Sequence, residues 1–148
     1  MKIAIGSDHA GFLLKEIVKD YLLAKKFQVI DMGTHSADMV DYPDFALKVA
    51  DEVVKNCERG ILICGSGVGV NIAANKVRGI RASVCHDTYS ARQGVEHDDM
   101  NILVLGARIV GEALALELVK TFLSATFCND ERHVRRVDKI KAIEKREA

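Results

Sequence analysis

The sequence predicts an α/β fold, with one parallel five-stranded sheet carrying helices on both faces. Three observations lead there. Short runs rich in Val, Ile and Leu alternate with helical stretches along the chain, the pattern of strand–helix–strand units joined by right-handed crossovers. Those runs are almost continuously apolar, which suits strands buried on both faces. The 148 residues show no repeat, linker or low-complexity tract, so residues 1–148 read as a single domain long enough to bury a core.

Each element has its own justification. Lys2–Ser7 reads as the first strand. Residues 11–25 follow as a helix, with Leu14, Ile17, Val18, Tyr21 and Leu22 recurring on one face. Residues 28–32 form a short second strand. The turn Asp41-Tyr42-Pro43-Asp44 opens a helix over 44–57, Pro being tolerated at a helix's first position. Arg59–Cys64 is the third strand, and the glycine-rich turn behind it feeds a helix that stops near Gly79. Residues 80–84 and Ile102–Gly106 are strands four and five, separated by a helix over 88–95. Helices over 110–125 and 132–145 close the chain, the last with Val134, Val137, Ile140 and Ile143 as its apolar stripe. The expected strand order is 2-1-3-4-5.

Composition excludes several classes. Twenty-one basic residues balance 21 acidic ones, which argues against a nucleic-acid partner. No run approaches membrane-spanning length and the amino terminus does not read as a leader, so no membrane partner is expected. Cys57, Cys64, Cys85 and Cys128 show neither CxxC spacing nor the density of a disulfide scaffold. A soluble cytoplasmic protein is the reading. No cysteine spacing assembles a metal-ligand set, and Cys57, Cys85 and Cys128 read as small buried hydrophobes.

Cys64 is different. It ends the third strand and opens into Gly65-Ser66-Gly67-Val68-Gly69. Unpaired N–H groups at a helix start favour negative charge, and the same field turns a nearby thiol into a usable base. The turn alone is weakly specific: no Lys follows to make a Walker loop, and the glycine spacing misses the dinucleotide fingerprint. In open parallel sheets, however, ligands bind beyond the strand carboxyl ends where strand order reverses. For the expected order that point lies between strands one and three, whose following loops are Ser7-Asp8-His9-Ala10-Gly11 and Cys64 to Gly69.

Further candidates lie elsewhere in the chain. His97 is read in a polar loop between Glu96 and Asp98, acids that would favour its protonated form. Arg132 and Arg136 are one helical turn apart and share a face suited to a phosphate. Arg108, just past strand five, is a third anion contact. His35, His86 and His133 read as structural.

Taken in order, Asp8-His9-Ala10-Gly11, Asp41-Tyr42-Pro43, Ile63-Cys64-Gly65-Ser66-Gly67-Val68-Gly69, Ile72-Ala73-Ala74-Asn75-Lys76, Gly79-Ile80-Arg81-Ala82, the His97 loop and Arg132-His133 resemble the ribose-5-phosphate isomerase B family over essentially the whole chain. The resemblance implies a Rossmann-like three-layer αβα sandwich and a homodimer or dimer of dimers with shared sites. It implies no metal and no organic cofactor. It makes Cys64 the base that moves a proton between C1 and C2 of a sugar phosphate, with Ser66 where Thr is usual, and His97 the residue that opens the furanose ring. Asp8, His9, Tyr42 and the main chain of Gly65, Gly67, Val68 and Gly69 match substrate-contacting positions. Arg108, Arg132 and Arg136 match the phosphate-binding arginines, so the helix near 131–145 would serve the phosphate site or the dimer.

One departure bears on the substrate. Many relatives carry His-Asn where this chain has His97-Asp98, and an ionised carboxylate cannot donate a hydrogen bond. D-ribose 5-phosphate and D-ribulose 5-phosphate are the expected pair; D-allose 6-phosphate or a tetrulose phosphate is the alternative. The His97 and Arg132/Arg136 features set the chain apart from galactose-6-phosphate enzymes. A nucleotide-binding flavodoxin-like module is the remote alternative, and it lacks the expected lysine or acidic cluster.

Overall fold

The computed structural model describes residues 1–146; the last two residues of the expected domain lie outside the described residues. β1 (Lys2–Ser7), β2 (Gln28–Asp31), β3 (Arg59–Cys64), β4 (Ala82–Val84) and β5 (Ile102–Gly106) form one parallel sheet. The helices are α1 (Phe12–Ala24), α2 (Tyr42–Lys55), α3 (Val68–Ala74), α4 (Thr88–Asp98), α5 (Glu112–Ser124) and α6 (Glu131–Glu144).

Period-two alternation sorts the strand side chains into two cores. Ile3, Ile5, Ile61, Ile63, Leu103 and Leu105 pack beneath α1, α4 and α5. Ala4, Leu62, Ile102 and Val104 pack beneath α2 and α3. Fully burying each large aliphatic side chain contributes roughly 1.5–3 kcal/mol, so the sheet's interior is what fixes the positions of the loops at its edge.

The strand order is 2-1-3-5-4, correcting the expected 2-1-3-4-5. Ile102–Gly106 is buried throughout and takes the inner place beside β3. β4 has only three residues, none fully buried, and a short, partly solvated strand belongs at an edge. The reversal between β1 and β3 is unaffected. The exchange puts the loop after β5, which carries Arg108, directly beside Cys64. There Ala107 N donates to Cys64 O at 2.8 Å and Arg108 N to Gly65 O at 2.9 Å.

Several boundaries move. α3 ends at Ala74 rather than near Gly79, because Asn75 turns its side chain to β4 and exchanges two 2.9 Å hydrogen bonds with the Ala82 main chain. α4 runs on to Asp98, stopped by Asp99 in the left-handed region (φ 52). On α6 only His133 and Val137 are buried, whereas Ile140 and Ile143 of the expected stripe are exposed. Among the cysteines, Cys57 and Cys85 are buried as expected and Cys128 is exposed.

Lys15 is fully buried, an unusual place for an ammonium group. Asp31 grips it with both carboxylate oxygens at 2.8 Å, and Glu16 bonds it at 3.0 Å. Asp31 also accepts the Gly33 N–H at 2.9 Å, and the Gly33–Thr34 main chain pairs with Ser7 at the end of β1. This buried ion pair therefore braces the loop after β2 against Ser7, the strand end that precedes Asp8.

Candidate active site

The carboxyl ends of β1, β3 and β5 open into a cleft of about 470 Å³, lined by Asp8, His9, Ala10, Tyr42, Cys64, Gly65, Ser66, Val68, Gly69, Ile72 and Arg108. The candidates from the loops after β1, β3 and β5 meet here, together with Tyr42, except that Gly67 does not line the cleft and instead bonds the Cys64 sulfur. A groove of about 430 Å³ between α4 and α5 is lined by Arg92, Glu96, Glu117 and Lys120 but holds no thiol or imidazole. Chemistry rather than size singles out the Cys64 cleft.

Local chain geometry sets each group. Gly67 sits in the left-handed region (φ 85), a conformation open to glycine without strain. That twist turns its N–H onto Cys64 Sγ at 3.1 Å. Cys64 is 6% exposed, so its sulfur forms the cleft floor. Ser66 Oγ accepts the Val68 N–H at 3.2 Å, leaving its own hydrogen free to donate to a ligand. Because α3 is only seven residues long, support for charge on the sulfur comes from this near N–H more than from a long helix dipole.

The walls are equally defined. A Cβ on Gly69 would lie 2.6 Å from the Tyr42 ring, and one on Gly65 would lie 3.2 Å from the Arg108 guanidinium; the absence of side chains there lets both groups pack closely on the glycine turn that lines the cleft with Cys64. Asp8 is buried and accepts the Gly11 N–H at 3.1 Å. His9 Nδ1 accepts the Val40 N–H at 3.2 Å, which fixes the imidazole and ties the loop before α2 to the cleft. His86 behaves as the structural residue expected, its Nε2 accepting the Gly106 N–H at 3.0 Å.

His97, Asp98, Arg132 and Arg136 are not in this cleft. His97 belongs to the last turn of α4, just before β5 starts, so it lies at the amino end of the sheet. Anchors around it agree. Gly60 N donates to Asn101 O, Cys128 N donates to Glu96 O, and Glu144 at the far end of α6 accepts the Gly79 N–H. Arg59, opening β3, bonds the Phe122 carbonyl and donates to Ala125 O at 2.6 Å. The five residues of β5 alone separate this cluster from Cys64 by roughly 13 Å. Within one chain the expected site residues therefore form two groups at opposite ends of the sheet.

The second group has its own order. The His97 ring stacks on His133 at 4.0 Å between centroids, 8° from parallel. Gln93 Nε2 lies 2.9 Å from His97 Nδ1, and Arg132 Nε donates to His133 Nε2 at 3.2 Å. The acids next to His97 in sequence face elsewhere in space. On a helix, neighbours in sequence point apart; Glu96 pairs with Arg92 at 3.7 Å and Asp98 lines a separate cleft with Arg81 and Ser90. His133 is held below the ordinary histidine range, first by burial of its ring and then by the nearby His97, Arg132 and Arg136 charges. Gln93 escaped the sequence reading because it ended α4 too early; extended to Asp98, the helix sets Gln93 one turn before His97.

Fold and cleft together define a Rossmann-like α/β protein with its ligand crevice at the switch point of the sheet. The chain belongs to the ribose/galactose isomerase family, whose model, described as Ribose/Galactose Isomerase, matches residues 3–140. It is an isomerase by that membership. Ribose-5-phosphate isomerase B of Escherichia coli (strain K12) is 47% identical over 146 residues, covering 98% of this chain and 97% of the relative. The solved ribose-5-phosphate isomerase B of Clostridium thermocellum superposes with a TM-score of 0.96 at 56% identity, covering 98% of each chain. That of Mycoplasma genitalium, solved with bound ribulose-5-phosphate, gives 0.93 at 44% identity, covering 99% of this chain and 97% of its own. No helix among the described residues is long and apolar enough to cross a membrane.

Proposed function

We propose that the chain interconverts D-ribose 5-phosphate and D-ribulose 5-phosphate, with Cys64 as the proton carrier. The observation that carries this reading is the thiol at the floor of a cleft, with the Gly67 N–H on its sulfur and Ser66, Asp8, His9 and Arg108 around it. The solved relative carrying ribulose-5-phosphate supports the substrate assignment.

The cycle starts with the furanose: as the bond from C1 to the ring oxygen breaks, the C1 hydroxyl gives up its proton to become the aldehyde and the ring oxygen takes one up, the transfer assisted by His97. Arginines hold the phosphate away from the reacting carbons, so its binding energy orients C1 and C2. The Cys64 thiolate removes the C2 proton, and the C–H electron pair forms the C1–C2 double bond of an enediolate. Ser66 and the main-chain N–H groups of Gly65, Gly67, Val68 and Gly69 balance the negative oxygen. The C2 hydroxyl proton passes to O1. As the carbonyl forms at C2, C1 takes the proton back from sulfur and the ketose is complete. Atoms and electrons balance without an external oxidant, metal or organic cofactor.

A complete site needs His97, Arg132 and Arg136 from a second copy, since in one chain they stand at the wrong end of the sheet. The exposed Val68 and Ile72 beside the cleft and Ile140 and Ile143 on α6 are apolar surfaces that such pairing would cover. Homodimer or dimer of dimers is the assembly we infer.

Asp98 supports a second reading, in which the substrate is another aldose phosphate such as D-allose 6-phosphate. Its carboxylate is exposed at the end of α4 and could accept from a hydroxyl that an amide would instead have donated to. Assay of the purified protein on ribose, allose and tetrose phosphates separates the readings. Highest kcat/KM on ribose 5-phosphate supports the first, highest on allose 6-phosphate the second, and no turnover of any aldose phosphate contradicts both.

A further inference from the structure

The geometry points to a binding site for one thiophilic divalent cation, such as Zn²⁺ or Cd²⁺, formed by Cys128, Asp130 and His133, whose occupation shuts down the isomerase. The sequence reading found no metal-ligand set at any cysteine; folding assembles one at the start of α6. One ligand atom from each of the three residues lies within 4.8 Å of the others. The His133 ring is anchored, being 6% exposed and stacked on His97. Cys128 and Asp130 are exposed, so the cluster has one fixed donor and two that can close on an ion from solvent. Asp130 holds the N-cap position, yet its carboxylate caps none of the α6 N–H groups and is free for another partner.

The donor chemistry selects the ion. One sulfur, one imidazole nitrogen and one carboxylate oxygen suit a borderline-soft dication, with the fourth tetrahedral place left to water. Zinc bonds of about 2.0–2.3 Å place tetrahedral donors roughly 3.3–3.8 Å apart, a contraction of about 1 Å that the two exposed side chains can supply by rotation. Cys128 gives up its proton to solvent on binding. The thiolate and carboxylate then balance the dication in a neighbourhood that already holds Arg132 and Arg136.

Coupling to the active site follows from lone-pair arithmetic. A neutral imidazole has one free lone pair, and the Arg132 Nε–H already points at His133 Nε2 from 3.2 Å. A metal on Nε2 displaces that donor. A metal on Nδ1 forces the ring proton onto Nε2, where it opposes Arg132. Either way Arg132 is released, and the His97 ring stacks on a metal-bound imidazole. This inhibitory half rests on the proposed roles of Arg132 and His97; the binding half does not.

The test uses the full chain, reduced and freed of metal, titrated with CdCl2 while the thiolate-to-cadmium ultraviolet band is recorded. One equivalent should bind wild type and Cys64→Ser alike. Cys128→Ser and Asp130→Asn should keep the fold and the basal turnover but bind at least about tenfold more weakly, as loss of even an outer-shell partner does. ZnCl2 should slow wild-type turnover and leave Cys128→Ser at least about tenfold less sensitive. A band unchanged in Cys128→Ser and lost in Cys64→Ser would overturn the site, as would no band in wild type. Zinc bound at this site with turnover undisturbed would overturn the coupling. Were the metal-free protein inactive on sugar phosphates, the functional assignment would fail while the cadmium band still decided the site.

Discussion

The Gly67 N–H meets Cys64 Sγ at 3.1 Å, one turn of chain binding the sulfur that produced the turn. Donors to sulfur strengthen when it carries charge, so this contact favours a proton carrier over an inert core thiol. Replacing Cys64 with Ser keeps the size and removes the sulfur. The expected result is a loss in kcat of about 10²–10⁴, the range for a positioned acid–base group, with KM changed by less than about threefold. Steady-state kinetics on ribose 5-phosphate and solvent-deuterium uptake at the sugar carbon check it; retained uptake would move the chemistry elsewhere.

Arg108 leans over Gly65 in the same cleft. Arg108→Ala should raise KM for a phosphorylated sugar by roughly 10–100-fold, the worth of about 1.5–3 kcal/mol for a charge-assisted hydrogen bond. Inhibition by inorganic phosphate should weaken in parallel. Weakened turnover with phosphate inhibition unchanged would count against an anion-binding role.

Two glycines should respond differently to alanine. At Gly69 the new Cβ meets the ring of Tyr42, which is 42% exposed and can swing away; KM should rise with little change in Tm. At Gly106 it would lie 2.6 Å from the Ser66 carbonyl oxygen, and main chain cannot yield as a ring does. Overpacking of about 1–3 kcal/mol should lower Tm there. Thermal melts beside kinetics for both variants decide this.

The Lys15–Asp31 pair sets an acid limit on stability. Burial alone would raise the Asp31 carboxyl, but Lys15, the Gly33 N–H and Lys19 outweigh it and hold it below its ordinary range. Glu16 is also lowered, chiefly by its hydrogen bond to Lys19. A depressed carboxyl contributes stability above its unfolded pKa of about 4, lost as pH falls through the folded value. Urea midpoints should therefore fall below about pH 4. Lys15→Met, which leaves the partly buried Asp31 with Lys19 and the Gly33 N–H alone, should cost less than the roughly 3–5 kcal/mol of a fully broken buried pair at neutral pH and flatten that acid slope.

His133 offers a spectroscopic check on the second cluster. Burial, then His97, Arg132 and Arg136, hold its pKa down. The native state thus binds that proton less readily than the unfolded chain, so this group's stability is full above about pH 6.5 and declines as pH falls below it. Imidazole NMR should show the His133 signals titrating below the ordinary histidine value of about 6.5. His97→Ala should shift them upward; no shift would deny the electrical contact between the stacked rings.

Much of this was legible in the sequence because the signals were local. Continuous apolar runs marked all five strands, and the loops after β1 and β3 met as the switch-point rule requires. Strand order at the far edge was not local. It depended on Ile102–Gly106 outcompeting Ala82–Val84 for the place beside β3, a matter of length and burial. The Lys15–Asp31 pair joins residues 16 apart on different elements, and no local pattern links them. The division of the site was expected only through the family resemblance, which implies shared sites; which residues fall on which side, with Arg132, Arg136 and His97 folded away from the chain's own Cys64, follows from the topology.

That division is tested most directly by mixing two inactive variants, Cys64→Ala and Arg132→Ala/Arg136→Ala, and letting subunits exchange from mild denaturant. If each site joins the Cys64 cleft of one chain to the α6 arginines of another, a mixed pair regains one intact site, and a random mixture recovers roughly a quarter of wild-type turnover. Mixed pairs confirmed by native mass spectrometry yet still inactive would contradict the account.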